Sequence, residues 1–157
     1  MVIAVVSDTH HDNKALLDIL DYIERADVLI HLGDNVRDAL YLKERFKGET
    51  YFVRGNCDDY TSGAKELLIE LSGVKIYAVH GHHHGVKLGD LMLLEEAKEK
   101  GARIALYGHT HISTVEEKDG VWLMNPGSPS LPRINRASIG FIEISENNEI
   151  YPYIYNI

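Results

Sequence analysis

Apolar residues fall into short runs separated by polar turns, and the spacing within each run predicts an element. Val2–Val6 is a continuous β-branched run, which is typical of a strand buried on both faces. A helical pattern follows from about Asn13 to Glu24, with Asp12 as its expected N-cap. The alternation then continues with a strand at Val28–Leu32, a helix near Val36–Phe46 and a strand at Thr50–Arg54.

The second half of the chain is richer in strands. The predicted elements are strands at Glu66–Leu71 and Lys75–His80, a helix from about Leu88 to Lys100, and strands at Arg103–Tyr107, Thr114–Glu117, Val121–Asn125, Ser138–Ile144 and Ile150–Tyr155. Gly101 is expected to close the helix. Alternating strands and helices followed by a β-rich tail predict an α/β sandwich on two central sheets. A length of 157 residues predicts one domain, residues 1–157.

Polar side chains with metal-binding chemistry lie just past the ends of five of these strands. They are Asp8, His10, Asp34, Asn56, His80, His109 and His111. In α/β sheets, ligands bind at the edge formed by the C-terminal ends of the strands. Any one of these residues alone is a weak signal, since an isolated histidine is more often a hydrogen-bonded core or surface residue. Seven in this order predict a shared site.

The spacing and type of these residues favour two metal ions. In Asp8-Thr9-His10 and His109-Thr110-His111, residues i and i+2 project to the same side of an extended segment. Carboxylate, imidazole and amide ligands without thiolate suit Mn²⁺, Fe, Co²⁺, Ni²⁺ or Zn²⁺. Seven ligands exceed what one ion with an open position needs. They suit two ions about 3.5–4 Å apart that share a carboxylate and a water, which the ions would activate as hydroxide.

Net charge and cysteine content limit the expected binding partners and the expected cellular compartment. The formal net charge of −8 argues against extended nucleic acids and anionic membranes as partners, because both bind basic surfaces. Bound cations would still let a small phosphate substrate approach. A single cysteine, Cys57, and an N-terminus that reads as a strand rather than a signal peptide predict a cytoplasmic protein.

The seven polar residues at the strand ends lie in five short motifs, which are Asp8-Thr9-His10, Gly33-Asp34, Gly55-Asn56, His80-Gly81-His82 and Gly108-His109-Thr110-His111. Together the motifs resemble those of the calcineurin-like metallophosphoesterase superfamily. The segment Asn125-Pro126-Gly127-Ser128 with Pro132-Arg133 is similar to its small single-domain YfcE-type phosphodiesterases. The resemblance implies a four-layer αββα sandwich with two central mixed β-sheets. It also implies ligand roles: Asp8, His10 and His111 would hold the first ion, Asp34 would bridge both, and Asn56, His80 and His109 would complete the second, with Mn²⁺ the first expectation among the metals.

One position departs from the family pattern. Many members have a histidine after the motif asparagine, thought to act on the leaving group, whereas this chain has Cys57. A small buried filler is the expected role of this thiol. His82 is the expected replacement acid, and Arg133 is either a substrate-phosphate ligand or a solvated loop residue. His31 is expected to be a buried strand histidine.

These expectations combine into a dinuclear metal-dependent phosphoesterase, with Asp34, Asn56 and His82 as catalytic residues. The preferred activity is a phosphodiesterase that acts on small phosphate esters. Phosphomonoesters, nucleotides and cyclic nucleotides remain alternatives, as does a protein-binding scaffold of the retromer-subunit type. Tyr151, Tyr153 and Tyr155 alternate along the last strand, and they could face a second subunit or pack on the domain.

Overall fold

The computed structural model describes all 157 residues, which form ten strands, three α-helices and one 3₁₀ turn. The strands are β1 Val2–Val6, β2 Val28–His31, β3 Glu49–Phe52, β4 Glu66–Leu71, β5 Val74–Val79, β6 Ile104–Leu106, β7 Thr114–Lys118, β8 Val121–Asn125, β9 Ser138–Ile144 and β10 Ile150–Asn156. The helices are α1 Asn13–Tyr22, α2 Val36–Arg45 and α3 Leu91–Glu99, and the 3₁₀ turn is His82–His84. None of the helices has the length and apolar character that a bilayer span requires.

The strands form two mixed five-stranded sheets. The first sheet has the order β10-β9-β1-β2-β3, in which β1, β2 and β3 run parallel. The second has the order β4-β5-β6-β8-β7, in which β5, β6 and β8 run parallel. The antiparallel strands β9, β10, β4 and β7 lie toward the edges. This confirms the predicted α/β fold with two mixed sheets.

Three apolar clusters hold the layers together. The largest joins the inner faces of the two sheets and includes Ile3, Ile30, Ile76 and Ile104, all fully buried. A second cluster packs α1 and α2 against the outer face of the first sheet, and a third packs α3 against the outer face of the second. The layers therefore run α, β, β, α, as the motif resemblance implied.

Local signals explain where the helices begin and end. The Asp12 carboxylate accepts hydrogen bonds from the backbone N–H groups of Lys14 and Ala15, both at 3.0 Å, so it caps α1 as predicted. The start of α3 was predicted three residues too early. Gly89 has a φ of +149°, which lies outside the helical region, and therefore the helix begins at Leu91. Gly101 follows α3 with a φ of +69°, as a C-terminal glycine should.

Candidate metal centre

The C-terminal ends of five parallel strands meet at one rim of the sandwich. The loops that follow β1, β2 and β3 come from the first sheet, and the loops that follow β5 and β6 come from the second. These five loops carry all seven predicted ligands, which are Asp8, His10, Asp34, Asn56, His80, His109 and His111. The two sheets thus each deliver part of one site, as expected for ligand-binding edges of parallel strands.

Left-handed backbone is concentrated at this rim. Five of the seven residues have positive φ values, namely Asp8 at 56°, His10 at 47°, Asp34 at 56°, His109 at 68° and His111 at 58°. This conformation is uncommon outside glycine, although Asp, Asn and His adopt it more readily than other residues. Such strain persists where surrounding structure enforces it, and it clusters at functional sites. The local backbone therefore marks the same loops as the sequence motifs.

Asp8 lies at the centre of the site and is fully buried. Its Oδ2 accepts hydrogen bonds from Ser7 Oγ at 2.6 Å and from the backbone N–H of His109 at 3.0 Å. Its Oδ1 lies 3.2 Å from His111 Nε2, but without hydrogen-bond geometry, and no protein donor satisfies it. A buried carboxylate oxygen without a donor is costly, and a bound cation would remove that cost.

Two histidines have ring orientations that leave a lone pair facing the site. His80 Nδ1 lies 2.8 Å from the carbonyl oxygen of Leu32, and His111 Nδ1 lies 2.7 Å from that of Leu131. A carbonyl oxygen can only accept, so Nδ1 donates in both rings. In the neutral ring Nε2 then carries the lone pair. Metal-binding histidines commonly donate their other N–H to a backbone carbonyl in this way.

The Nε2 atoms of these rings point at oxygens rather than at donors. His80 Nε2 lies 3.1 Å from Asn56 Oδ1 and 3.4 Å from Asp34 Oδ1, while His111 Nε2 lies near Asp8 Oδ1. In the same region, His10 Nε2 lies 3.2 Å from His111 Nε2. Lone pairs that face one another repel, and a positive charge between them would turn that repulsion into coordination. The donor set therefore fits divalent metal ions.

The distances divide the ligands into two groups that share one residue. Ligand atoms of Asp8, His10 and His111 lie within 4.8 Å of one another, and so do those of Asp8, Asp34 and His80. Asn56 joins the second group through its contact with His80, whose ring centroid lies 5.1 Å from that of His109. All seven predicted residues thus converge. The carboxylate common to both groups is Asp8, whereas the motif resemblance assigned the bridge to Asp34.

Two glycines allow the loops to approach this closely. A Cβ atom on Gly55 would collide with the Asp34 carboxylate and lie 2.5 Å from the Asp34 backbone nitrogen. A Cβ atom on Gly108 would collide with Ser7 Oγ and lie 2.7 Å from Asp8 Oδ2. Any side chain at either position would push a carboxylate out of place, so these glycines are needed for space.

Asp58 holds two of the loops together, and the motif reading did not identify it. Its carboxylate accepts hydrogen bonds from the backbone N–H groups of Asp34, Asn35, Val36 and Gly55, at 2.7 to 3.0 Å. It thereby caps the start of α2, where Asn35 provides no side-chain cap. It also fixes the Asp34 loop against the Gly55-Asn56 loop. The only sequence signal was a carboxylate two residues after the motif asparagine.

A second group of hydrogen bonds holds the Asp8-Thr9-His10 loop in place. Thr9 Oγ1 donates to Asp38 Oδ2 at 2.6 Å and lies 3.2 Å from Nε2 of His31. Gly33 N–H donates to His31 Nδ1, so Nε2 carries the proton and points at Thr9. Burial lowers the pKa of His31 to about 4, which keeps the ring neutral. His31 is a buried strand histidine, as expected, but it orients the Asp8-Thr9-His10 loop.

The β8–β9 loop also contacts the site. Ser128 Oγ donates to the backbone carbonyl of Asp8 at 2.8 Å, and Ser130 Oγ donates to that of Thr9 at 2.9 Å. The Asn125 amide donates to the carbonyl of Gly108 at 2.9 Å. The segment that resembled the small phosphodiesterases therefore stabilises two ligand loops.

Charge within the site moves the pKa values of two groups in opposite directions. Burial alone would raise the pKa of Asp8, but the neighbouring His111 and His80 rings and the Ser7 hydroxyl outweigh it, so the pKa is lowered. The Asp8 carboxylate raises the pKa of His111 against the opposing effect of burial. The lowered pKa favours the carboxylate form of Asp8, which is the form that binds a cation.

The remaining predicted residues surround this group. The His82 ring is tilted against those of His80 and His109, with ring centroids 5.4 and 6.0 Å away, and its buried Nδ1 has no partner. Burial, together with His83 and the other neighbouring histidines, lowers the pKa of His82 to about 4. The backbone N–H of Arg133 donates to the carbonyl of His111 at 3.2 Å, and its side chain is exposed.

Cys57 was expected to be a buried filler, and this expectation is wrong. The residue is exposed because it lies in the turn after β3, where the chain bends around the rim. Its backbone N–H donates to Asp34 Oδ1 at 3.0 Å, so the residue positions a ligand through the main chain. Partial burial and the Asp34 carboxylate raise the pKa of the Cys57 thiol to about 11, which leaves it protonated and weakly nucleophilic.

Comparison with known proteins places this geometry in a family. The model of the calcineurin-like phosphoesterase superfamily domain matches residues 1–147. A probable metallophosphoesterase of Bacillus subtilis, YsnB, is 36% identical over 150 residues, covering 94% of this chain and 86% of that protein. A phosphodiesterase of Methanocaldococcus jannaschii is 30% identical over 147 residues, covering 81% and 83% of the two chains.

Solved structures share the fold over almost the whole chain. A Streptococcus pneumoniae protein described as a predicted phosphoesterase has a TM-score of 0.80 at 29% identity, covering 98% of this chain and 96% of its own. Vps29 of Entamoeba histolytica has a TM-score of 0.78 at 19% identity, covering 100% of this chain and 99% of its own. The latter likeness concerns the fold alone.

Proposed function

The chain belongs to the calcineurin-like phosphoesterase superfamily, and from this premise we propose that it is a dinuclear metal-dependent phosphodiesterase for small phosphate esters. One observation carries the proposal. His80 and His111, each fixed by a backbone carbonyl, present Nε2 lone pairs toward the oxygens of Asp34 and Asp8, an arrangement that calls for cations.

We assign the ligands in two sets around Asp34. Asp8, His10 and His111 would hold the first ion, Asn56, His80 and His109 would hold the second, and Asp34 would serve both. Because Asp8 lies within reach of both groups of ligands, the identity of the shared carboxylate needs a test. If Asp34 is shared, Asp34→Asn lowers the metal content measured by mass spectrometry toward zero, while Asp8→Asn retains one ion. The reverse pattern would transfer the bridge to Asp8.

The ions and the protein contribute different things. Divalent ions bound here supply Lewis acidity and make a bound water acidic enough to act near neutral pH. Asn56 is exposed at the rim, and its amide orients a phosphoryl oxygen of the substrate. The neutral His82 ring donates a hydrogen bond toward the leaving-group oxygen, in place of the histidine absent at Cys57. Arg133, whose backbone contacts His111, binds the anionic substrate through its exposed guanidinium.

The preference for diesters rests on the similarity to the phosphodiesterase of Methanocaldococcus jannaschii, together with the weak acid at position 57. A thiol with a pKa of about 11 protonates a leaving group poorly near neutrality, so substrates with good leaving groups are favoured. Mn²⁺ is the proposed ion, since the donor set contains oxygen and imidazole ligands and no thiolate. The exposed Cys57 suits a reducing cytoplasmic compartment.

The test is hydrolysis of bis(p-nitrophenyl) phosphate and p-nitrophenyl phosphate by metal-stripped protein, with and without Mn²⁺ or Ni²⁺. We expect turnover of the diester well above that of the free ion, and weaker turnover of the monoester. His10→Ala should abolish the gain. Absence of any gain with either ion, for either ester, would refute the enzyme assignment and favour a binding scaffold with the fold shared by Vps29.

A further inference from the structure

A cavity lies next to the candidate metal centre on the side of β6 and β7. It has a volume of about 350 Å³, which is within the range of small-molecule sites. Its wall includes Thr110, the residue between the proposed ligands His109 and His111. A substrate phosphate bound at the metals would therefore have this cavity within reach of one of its ester arms.

The cavity combines apolar walls with two cations. Val86 and Tyr107 are buried and Ile112 is half-buried, and together they form the apolar part of the lining. Lys87 and Arg133 are exposed at its margin, and neither side chain takes part in a hydrogen bond or ion pair. No acidic residue lines the cavity.

Two acidic residues close to Tyr107, Asp90 and Glu116, are both paired with Lys118, at 2.7 and 2.9 Å. They therefore leave Lys87 and Arg133 unpaired.

The cavity on the other side of the centre has a different character. It has a volume of about 310 Å³ and is lined by Arg37 and Cys57 together with the carboxylates of Asp58 and Asp59. An anionic group placed there would meet two acidic residues for one arginine. The two flanks of the metal centre therefore differ in the charge that they accept.

We propose that the cavity bounded by Lys87 and Arg133 binds the second arm of the phosphodiester, and that it selects an arm with an apolar ring and an additional anionic group. This inference rests on the proposed phosphodiesterase function. The ring packs on Tyr107 and Ile112, and the anion is bound by the two unpaired cations. Arg133 is thereby assigned to the substrate's second anionic group, and Lys87, which no motif indicated, becomes a specificity determinant.

The test compares two diesters that share p-nitrophenolate as the leaving group, one with a methyl arm and one with a 3-carboxyphenyl arm. We expect kcat/KM with Mn²⁺ to favour the carboxyphenyl diester at least about tenfold, mostly through KM. Lys87→Gln and Arg133→Gln should each lower this selectivity ratio by about tenfold, the value of one charge-assisted hydrogen bond. Arg136→Gln, which alters an exposed arginine of the same loop outside the cavity, is the matched control.

A binding measurement separates the cavity from the chemistry. Calorimetry on the metal-free protein uses 4-carboxybenzylphosphonate, which has no scissile ester bond, against methylphosphonate. The expected result is tighter binding of the aromatic probe, weakened by Lys87→Gln but not by Arg136→Gln. Equal kcat/KM values for the two diesters, with ratios unaffected by either variant, would refute the subsite and leave the phosphodiesterase intact. Absence of diester hydrolysis would refute the proposed phosphodiesterase function instead. The calorimetric result would then be the sole test of ligand binding in the cavity.

Discussion

Two polar clusters in this sandwich contain similar residues, but the negative charges of their carboxylates are balanced in different ways. The candidate metal centre at the rim contains the buried carboxylates of Asp8 and Asp34, surrounded by imidazole rings. The α3 cluster, which we define as Glu66, Tyr77, His84, Glu96 and Lys100, lies between α3 and the outer face of the second sheet.

The α3 cluster satisfies its own carboxylates. The Tyr77 hydroxyl lies 3.0 Å from Glu66 Oε2 and 2.9 Å from Glu96 Oε1, and His84 Nε2 lies 2.9 Å from Glu96 Oε2. Lys100 Nζ completes the set at 3.2 Å from Glu66 and 3.4 Å from Glu96. Every carboxylate oxygen in the cluster therefore has a donor group nearby, and a lysine provides positive charge.

The rim lacks such a cation. The ion-pair partners of Asp8 and Asp34 are the histidines His111 and His80, and Asp8 Oδ1 has no donor at all. The difference teaches that a cluster of carboxylates and histidines does not by itself indicate a metal site. The informative feature is a set of hydrogen-bond acceptors that face one another without a positively charged protein group between them.

The largest expected effect comes from removing a proposed ligand at the rim. Asp34→Asn keeps the shape of the side chain but removes its charge, and it should lower kcat for a p-nitrophenyl diester more than about 100-fold, since even residues behind metal ligands cost 10–100-fold. Steady-state assays at limiting Mn²⁺ measure it. Asp21→Asn, on the exposed face of α1, is the control and should retain activity. Full turnover by Asp34→Asn would show that the rim does not take part in the reaction.

Metal addition should stabilise the protein only through the rim. At 100 times the dissociation constant, Mn²⁺ should raise the free energy of unfolding of the wild type by about 2.7 kcal/mol, because ions bind the folded state. Chemical denaturation with and without Mn²⁺ measures the change. Asp34→Asn should lose most of it, whereas Glu96→Gln should retain it. Equal stabilisation of all three proteins would place the ions elsewhere.

Removing the central hydroxyl of the α3 cluster should affect stability rather than activity. Tyr77→Phe removes a buried hydroxyl that Glu66, Glu96 and His84 share, which should lower the free energy of unfolding by about 1–3 kcal/mol. The matched control is Tyr151→Phe, whose hydroxyl donates to Glu149 on the surface and should matter little. A loss of turnover in Tyr77→Phe at saturating Mn²⁺, without a loss of stability, would reverse the roles of the two clusters.

The smallest effect concerns pH. Burial alone would raise the pKa of Glu96, but hydrogen bonds from Tyr77 and His84 outweigh it, so its folded-state pKa lies below the unfolded value of 4.5. The stability it contributes is therefore present above that value and is lost as pH falls through the folded-state pKa. Urea midpoints between about pH 6 and pH 3 should fall less steeply in Glu96→Gln than in the wild type. Glu146→Gln, an exposed residue without a partner, should match the wild type.

Elements and ligands could be predicted from local pattern, while their supports could not. Continuous apolar runs located β1 and β2, and Asp12 marked the start of α1, because periodicity and capping act within a few residues. The Cys57 prediction was wrong because exposure depends on how the turn after β3 meets the rim. Asp58 was missed because its four backbone partners are spread over two loops.

The amino-acid sequence by itself determined the order of strands and helices and the set of oxygen and nitrogen donors at the strand ends, since both depend on residue type and short spacing. Tertiary structure decided which of these donors face one another. The contact between His10 and His111 spans 101 positions, and the fixed ring orientations of His80 and His111 depend on carbonyls of distant loops. The absence of a protein cation among the rim carboxylates, and the presence of Lys100 among those of the α3 cluster, likewise follow from packing between residues far apart in the chain.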